Sequence, residues 1–224
     1  MANRKWRMGI LVATPVLFLA VLSIASARGA EPKVLAGHWT MDDSAAGAKV
    51  TDSSPNGLHG SFSTNTGDSS AKGKIDRSLG FQGKAVADLS KHAAPLGKLK
   101  DFTVSMWIQH TPGPSRMLFT WSDGSLTHRL QVEVHNATLH FGWQNGGGWQ
   151  SFATRPLKWK KDRWYHVVFI NDSDAGKTII RSNDGAQATN PNTLGPTDLR
   201  TGVKRIQIGG LNDAYPFTGR IDDV

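Results

Sequence analysis

Two indoles, Trp143 and Trp149, bracket the string Gln144-Asn145-Gly146-Gly147-Gly148, with Gln150 just beyond. Sugar rings stack on indole faces, and sugar hydroxyls pair well with planar amides. A run of glycines lets a ligand come close to the backbone. Trp149, Gln150, Asn145 and Gln144 are therefore the candidate carbohydrate-binding residues. Trp143 alternates with Leu139 and Phe141, which directs it to the core instead. A second cluster, Asp52-Ser53-Ser54-Pro55-Asn56-Gly57, is dense in hard oxygen atoms. Calcium takes about six to eight such oxygens, but the same residue types also build ordinary turns.

Glycoside hydrolysis needs two carboxylates flanking the scissile bond. The chain has only two glutamates, Glu31 and Glu133. Glu133 shares a strand face with Gln131 and His135, and no acid stands two or four residues away on that face. That pattern reads as a solvated polar face, so the chain is expected to be non-catalytic. Among the eight histidines there is no His-Glu-x-x-His. His135 and His140 are expected to face each other across the Asn136-Ala137 turn, a pair without the third ligand that zinc requires. His166 falls within the packed Trp164–Asn171 string and is expected in the core, whereas Trp107 shares a face with Thr103 and Ser105, a face that could bind a ligand.

These residues must be positioned by strands. Phe102–Ile108, Leu130–Val134 and Leu139–Trp143 alternate with period two, and Trp164–Asn171 is apolar almost throughout, as a central strand should be. Asn136-Ala137, Asn145–Gly148 and Asn183-Asp184-Gly185 supply the turns between runs. Short strands with Gly-rich turns and no long helical periods predict an all-β sandwich or jelly roll.

The first thirty residues read differently. Arg4, Lys5 and Arg7 precede an uncharged apolar run, Gly9 to Ala27, with small residues at its end. That is the layout of a secretory signal peptide over 1–30, followed by one domain over 31–224. The protein is accordingly expected to be secreted, periplasmic or extracellular, with no membrane contact beyond the leader. It has no cysteine, hence no disulfide framework. The formal charge of +8 falls to +4 without the leader's four basic residues. No concentrated basic stripe accompanies it, which argues against a nucleic-acid partner.

Several strings, in order, resemble the laminin-G-like branch of the concanavalin A-like lectin/glucanase superfamily. They are His38-Trp39-Thr40-Met41-Asp42-Asp43, Asp52–Gly60, Gly73–Leu79 with Phe81-Gln82-Gly83, Phe102–Ile108, Arg163–Val168, Asn183-Asp184-Gly185, Ile208-Gly209-Gly210 and Phe217–Val224. The resemblance implies a jelly-roll sandwich of two antiparallel sheets, with Trp107 in its core. It also implies a structural Ca2+ ion held by Asp52, Asn56 and Asp222, with the closing strand beside the Asp52 loop. The glucanases' paired-carboxylate string is absent. The expected function is a secreted binding module for a polysaccharide or an extracellular protein. A divergent glycosidase or lyase and a structural spacer remain as alternatives, because one fold hosts many functions. At the end, Ile221 and Val224 are three apart with two acids between. That spacing predicts a bulge at Asp222-Asp223. A strand halting at Val224 is expected to be truncated and to leave neighbouring backbone groups unpaired.

Overall fold

Period-two strings become strands here because alternate side chains can be buried in one layer while the others face away from it. The structure, a computed structural model, describes residues 34–43, 49–63, 70–83, 85–110, 116–145, 147–191, 202–211 and 214–224. Leu35–Val224 form one compact unit; of Met1–Val34 only Val34 is described, so the expected leader lies outside the described residues. Among the described residues, no helix is long and apolar enough to cross a membrane.

The strands form two antiparallel sheets. The eight-stranded sheet runs β1 (Lys49–Val50), β2 (Gly60–Ser63), β5 (Val86–Asp88), β14 (Arg205–Ile208), β7 (Arg116–Ser122), β8 (His128–His135), β9 (Thr138–Asn145), β10 (Gln150–Ala153). The seven-stranded sheet runs β13 (Gln187–Asn190), β12 (Lys177–Ser182), β11 (Tyr165–Asp172), β6 (Phe102–His110), β15 (Gly219–Asp222), β4 (Arg77–Phe81), β3 (Ser70–Lys72). Leu130, Val132, Val134, Leu139, Phe141 and Trp143 of the first sheet meet Met106, Ile108, Tyr165, Val167, Phe169 and Ile221 of the second in one core. The expected all-β sandwich is what the chain forms.

Three expectations need correction. Trp107 and His166 are half-buried on the outer face of the seven-stranded sheet, with ring centroids 4.9 Å apart. Each stands between two core residues of its strand, so the pleat forces it outward. The third concerns the backbone groups beside the end of the chain, expected to be unpaired. β15 is an interior strand, paired on one side with β4 and on the other with β6. Val224 continues this pairing, exchanging two 2.9 Å backbone hydrogen bonds with Trp39. The break in alternation comes from Asp223, whose φ of 49° is left-handed, so that Ile221 and Val224 both pack against the core.

Candidate functional site

Strict alternation gives one face of the eight-stranded sheet to the core and sets polar side chains on the other. Register aligns them into rows across the strands. One row reads Ser61, Asp88, Gln207, Thr120, Gln131, Gly142, Ser151. The adjacent row reads Arg205, Ser122, Arg129, Gln144.

Gly142 is the gap in the first row, and Trp149 fills it. Gln150 pairs with Trp143 on the core side of β10, so the preceding Trp149 falls on the outer face. A Cβ on Gly142 would lie 2.1 Å from the Trp149 ring, a contact that only glycine permits. The Arg129 guanidinium carbon stands 4.9 Å from the indole centroid, a cation–π arrangement. Trp149 remains 39% exposed. Burial pushes the Arg129 guanidinium below its ordinary pKa, while Tyr215 and Glu133 nearby act in the other direction.

Next to Gly142 in the row, Gln131 is only 3% exposed, and its Oε1 has no hydrogen-bond partner. An unmet buried acceptor is costly, and such groups deserve a reason. Thr120 and Gln207 are buried as well. Residues 209–211 and 214–215 border this face: Thr120 donates to the Gly210 carbonyl at 3.0 Å, and Met117 N–H donates to the Tyr215 carbonyl at 3.1 Å. Beyond these residues a cleft of about 560 Å³ opens over β2, β5 and β14, lined by Ser61, Asp88, Asp123, Lys204, Arg205 and Gln207 among others.

The predicted sugar-binding residues separate in space. Trp149 and Gln144 share the outer face, and the Gln144 amide donates to the Gly147 carbonyl at 2.8 Å. Gln150 is exposed but belongs to the opposite face of β10. Asn145 ends β9 opposite His128, and its side chain lies outside the described residues. Sequence reasoning missed Arg129 and Gln131. The signal was the alternation of β8, which already put Gln131 and Glu133 opposite the valines.

Glu133 corrects the expectation of a solvated face. It is 7% exposed, and its cross-strand neighbours are Met117 and His140. His135 and His140 do meet, with ring centroids 5.4 Å apart. Burial and then the charge of His135 hold the His140 pKa below its ordinary value.

The predicted calcium ligands do not converge. Asp52 Oδ1 accepts from the N–H groups of His38 and Ser54 at 2.8 and 2.9 Å. Its Oδ2 accepts from Ser54 Oγ and Leu58 N–H at 2.8 and 2.6 Å. Burial raises its pKa, but these four hydrogen bonds outweigh burial and leave it below the ordinary value. Asn56 spends its amide hydrogens on the carbonyls of Leu35 and Ala36. Asp222 turns elsewhere: its Oδ2 accepts from Lys74 and Ile75 N–H at 2.7 and 2.9 Å, and Oδ1 is buried with no partner. The segment through Trp39 lies between, bridged to Asp52 on one side and bonded to Val224 on the other. This set therefore does not fit one shared ion. Among the described residues, no group of three or more His, Asp or Glu side chains is placed to hold a metal.

Solved structures share the architecture. Domain 4 of AbnA, a GH43 extracellular arabinanase from Geobacillus stearothermophilus in complex with arabinotriose, superposes with a TM-score of 0.61 at 20% identity, covering 84% of this chain and 88% of that one. The CBM40 of the Ruminococcus gnavus IT-sialidase, bound to α2,3-sialyllactose, gives 0.52 at 20% identity over 61% of this chain and 82% of that one. The NanB sialidase of Streptococcus pneumoniae, as its K499G mutant, gives 0.56 at 16% identity over 65% and 24%. No curated protein matches the amino-acid sequence itself. Residues 81–224 match the family model of the concanavalin A-like lectin/glucanases superfamily in its laminin G form, and the chain belongs to that superfamily.

Proposed function

We propose that this domain is a non-catalytic carbohydrate-binding module whose ligand lies on the outer face of the eight-stranded sheet. One observation carries the reading: Trp149 seated on Gly142 beside Arg129, next to a polar row in which the buried Gln131 carbonyl has no protein partner. An indole for a sugar face, a guanidinium and an unmet amide acceptor for hydroxyls are what a glycan needs. The sugar-bound neighbours of the same fold, an arabinanase domain and a sialidase module, support it. The absence of catalysis is argued from Glu133, which has Met117 and His140 rather than an acid across from it. The leader read over 1–30 would place the module outside the cytoplasm, which N-terminal sequencing of the exported protein checks.

A glycan array followed by calorimetry tests the site. Trp149→Ala is expected to weaken binding at least about tenfold, the loss of one good stacking contact, whereas Gln150→Ala keeps it. Equal binding by wild type and Trp149→Ala would remove the face from consideration.

A further inference from the structure

Among the described residues, the exposed Phe, Tyr and Trp rings are Trp149 and Tyr215, the latter at 46%. A single exposed ring needs no explanation, but these two share a neighbour. The Arg129 guanidinium lies 4.9 Å from the indole centroid and close enough to Tyr215 for the phenol to act on it. Glu133 acts on the same guanidinium, so what this face leaves open to a ligand is its rings. Tyr215 is held in place by its backbone. Gly209 N–H donates to the Leu118 carbonyl and Met117 N–H to the Tyr215 carbonyl, both at 3.1 Å, so Tyr215 lies beside β7 on the line that β14 leaves. The buried Phe217 fixes the other side, its N–H donating to the Gly209 carbonyl at 2.8 Å. The φ of Tyr215 is 49°, left-handed, and Pro216 follows it. A bulky residue resists that region, and a following proline favours extended backbone instead. Strain of this kind persists only where the surroundings impose it, and it clusters where a protein clamps a ligand. Three strand spacings, from that line across β7 and β8 to Gly142 on β9, put the two anchor points about 14 Å apart. That spacing suits two sugars of one chain better than the two faces of one sugar, since stacked rings lie within about 7 Å. On β8, between the two anchors, is the buried Gln131 carbonyl oxygen without a partner.

We infer that Tyr215 is a second stacking residue, and that the ligand is an oligosaccharide chain laid across β7 and β8 with one sugar ring on Trp149 and another on Tyr215. This rests on the carbohydrate-binding reading and adds a subsite, the direction of the chain and a preference for chains over single terminal sugars. A hydroxyl of a sugar lying between the two rings is the donor that the Gln131 carbonyl lacks.

The test is calorimetry with ladders of oligosaccharides, monomer to hexamer, cut from arabinan, galactan, xylan and alginate. In at least one ladder, affinity should rise with length until the chain spans both rings, by about tenfold, and then level off. In Tyr215→Ala that gain should be lost, so that long and short chains bind alike, whereas Trp149→Ala should weaken short chains as well. Tyr215→Phe restores a ring and should recover the gain. If Tyr215→Ala fails to fold, Tyr215→Gly, which suits the left-handed φ, gives the same readout. A gain with length that survives loss of the Tyr215 ring, or wild-type binding that does not rise with length, would overturn the second subsite and leave the carbohydrate module standing. Folded wild-type protein that binds no member of any ladder sinks both readings.

Discussion

The Asp223 carboxylate meets the His38 imidazole at 2.5 Å, Oδ1 to Nε2, and the other ring nitrogen lies 2.8 Å from the Ser53 hydroxyl. The end of the chain is thus tied to the Asp52–Asn56 loop, but by Asp223 acting through a histidine rather than by Asp222 acting through a metal. The left-handed turn at Asp223 separates the two acids: Asp222 goes to the 74–75 turn, Asp223 to His38. The pair is partly exposed, so each of Asp223→Ala and His38→Gln should cost about 1 kcal/mol in urea unfolding, with a coupling of about 0.5 kcal/mol in the double mutant. Strictly additive effects would mean that the contact contributes nothing.

Asp52 should matter more. It is buried and serves four donors, so Asp52→Ala leaves three backbone N–H groups and a hydroxyl unmet. A loss of about 3 kcal/mol is expected. Asp52→Asn should recover part of it. Because its folded pKa is depressed, the stability Asp52 supplies is present above the unfolded value of 3.8 and lost as pH falls through the folded one.

His110 makes the protein sensitive to mild acid. Burial between Phe217 and Trp159 pushes its pKa down to about 4, partly opposed by the Thr218 carbonyl and reinforced by Arg116. Between pH 4 and 6.5 the unfolded chain binds this proton and the folded one does not, so stability rises with pH across that window. The cost below it is about 3 kcal/mol. His110→Phe should flatten the wild-type slope between pH 4 and 6.5. An unchanged slope would assign the sensitivity to another group.

Asp222 should show the opposite sign. Burial raises its pKa, opposed by the Ile75 and Lys74 N–H groups and reinforced by Asp223 and Asp42. From the unfolded value of 3.8 upward to the folded one, the folded state holds the proton more tightly, so this group's contribution falls as pH rises. Asp222→Asn keeps an acceptor for Lys74 and Ile75 and removes the charge. In metal-free buffer at pH 7 it should be at least as stable as wild type, and the difference should vanish toward pH 3. A variant less stable than wild type at pH 7 would show that the ionised form is preferred.

Gly142→Ala is a site-specific lesion. The new methyl group cannot coexist with the indole, so Trp149 must leave its seat. Binding should fall as far as in Trp149→Ala, while circular dichroism shows an unchanged sheet. Full binding by Gly142→Ala would separate the ligand from the indole.

Much of the sandwich was legible because period two is a local signal. Leu130, Val132 and Val134 face one way whatever covers them, and Asn136, with φ of 52°, turns the hairpin its position demands. Trp149 was legible as a candidate because the glycines before it are adjacent in sequence. What was not legible depended on distant segments. Glu133 was expected in solvent and is buried. Arg129 meets Trp149 only because β8 and β10 flank β9. Asp222 found its partners at Lys74 and Ile75, some 150 residues away, where no spacing rule reaches. His166 was misplaced because apolar character alone does not say which side of a sheet a residue occupies, and Trp107, which alternation set beside Thr103 and Ser105, was drawn to the core by the family resemblance.

The paired hydrogen bonds between Trp39 and Val224 also set how the domain would answer to force. Antiparallel pairing puts the chain entering Trp39 and the chain at Val224 side by side, pointing the same way. Tension applied at those two points would load the bonds one at a time, like a zipper, rather than all together in shear. The domain would hang as a pendant beside a stretched chain, and it would yield first by peeling the 38–40 segment and β15, a strand of the seven-stranded sheet and not of the sheet that carries the row beside Trp149.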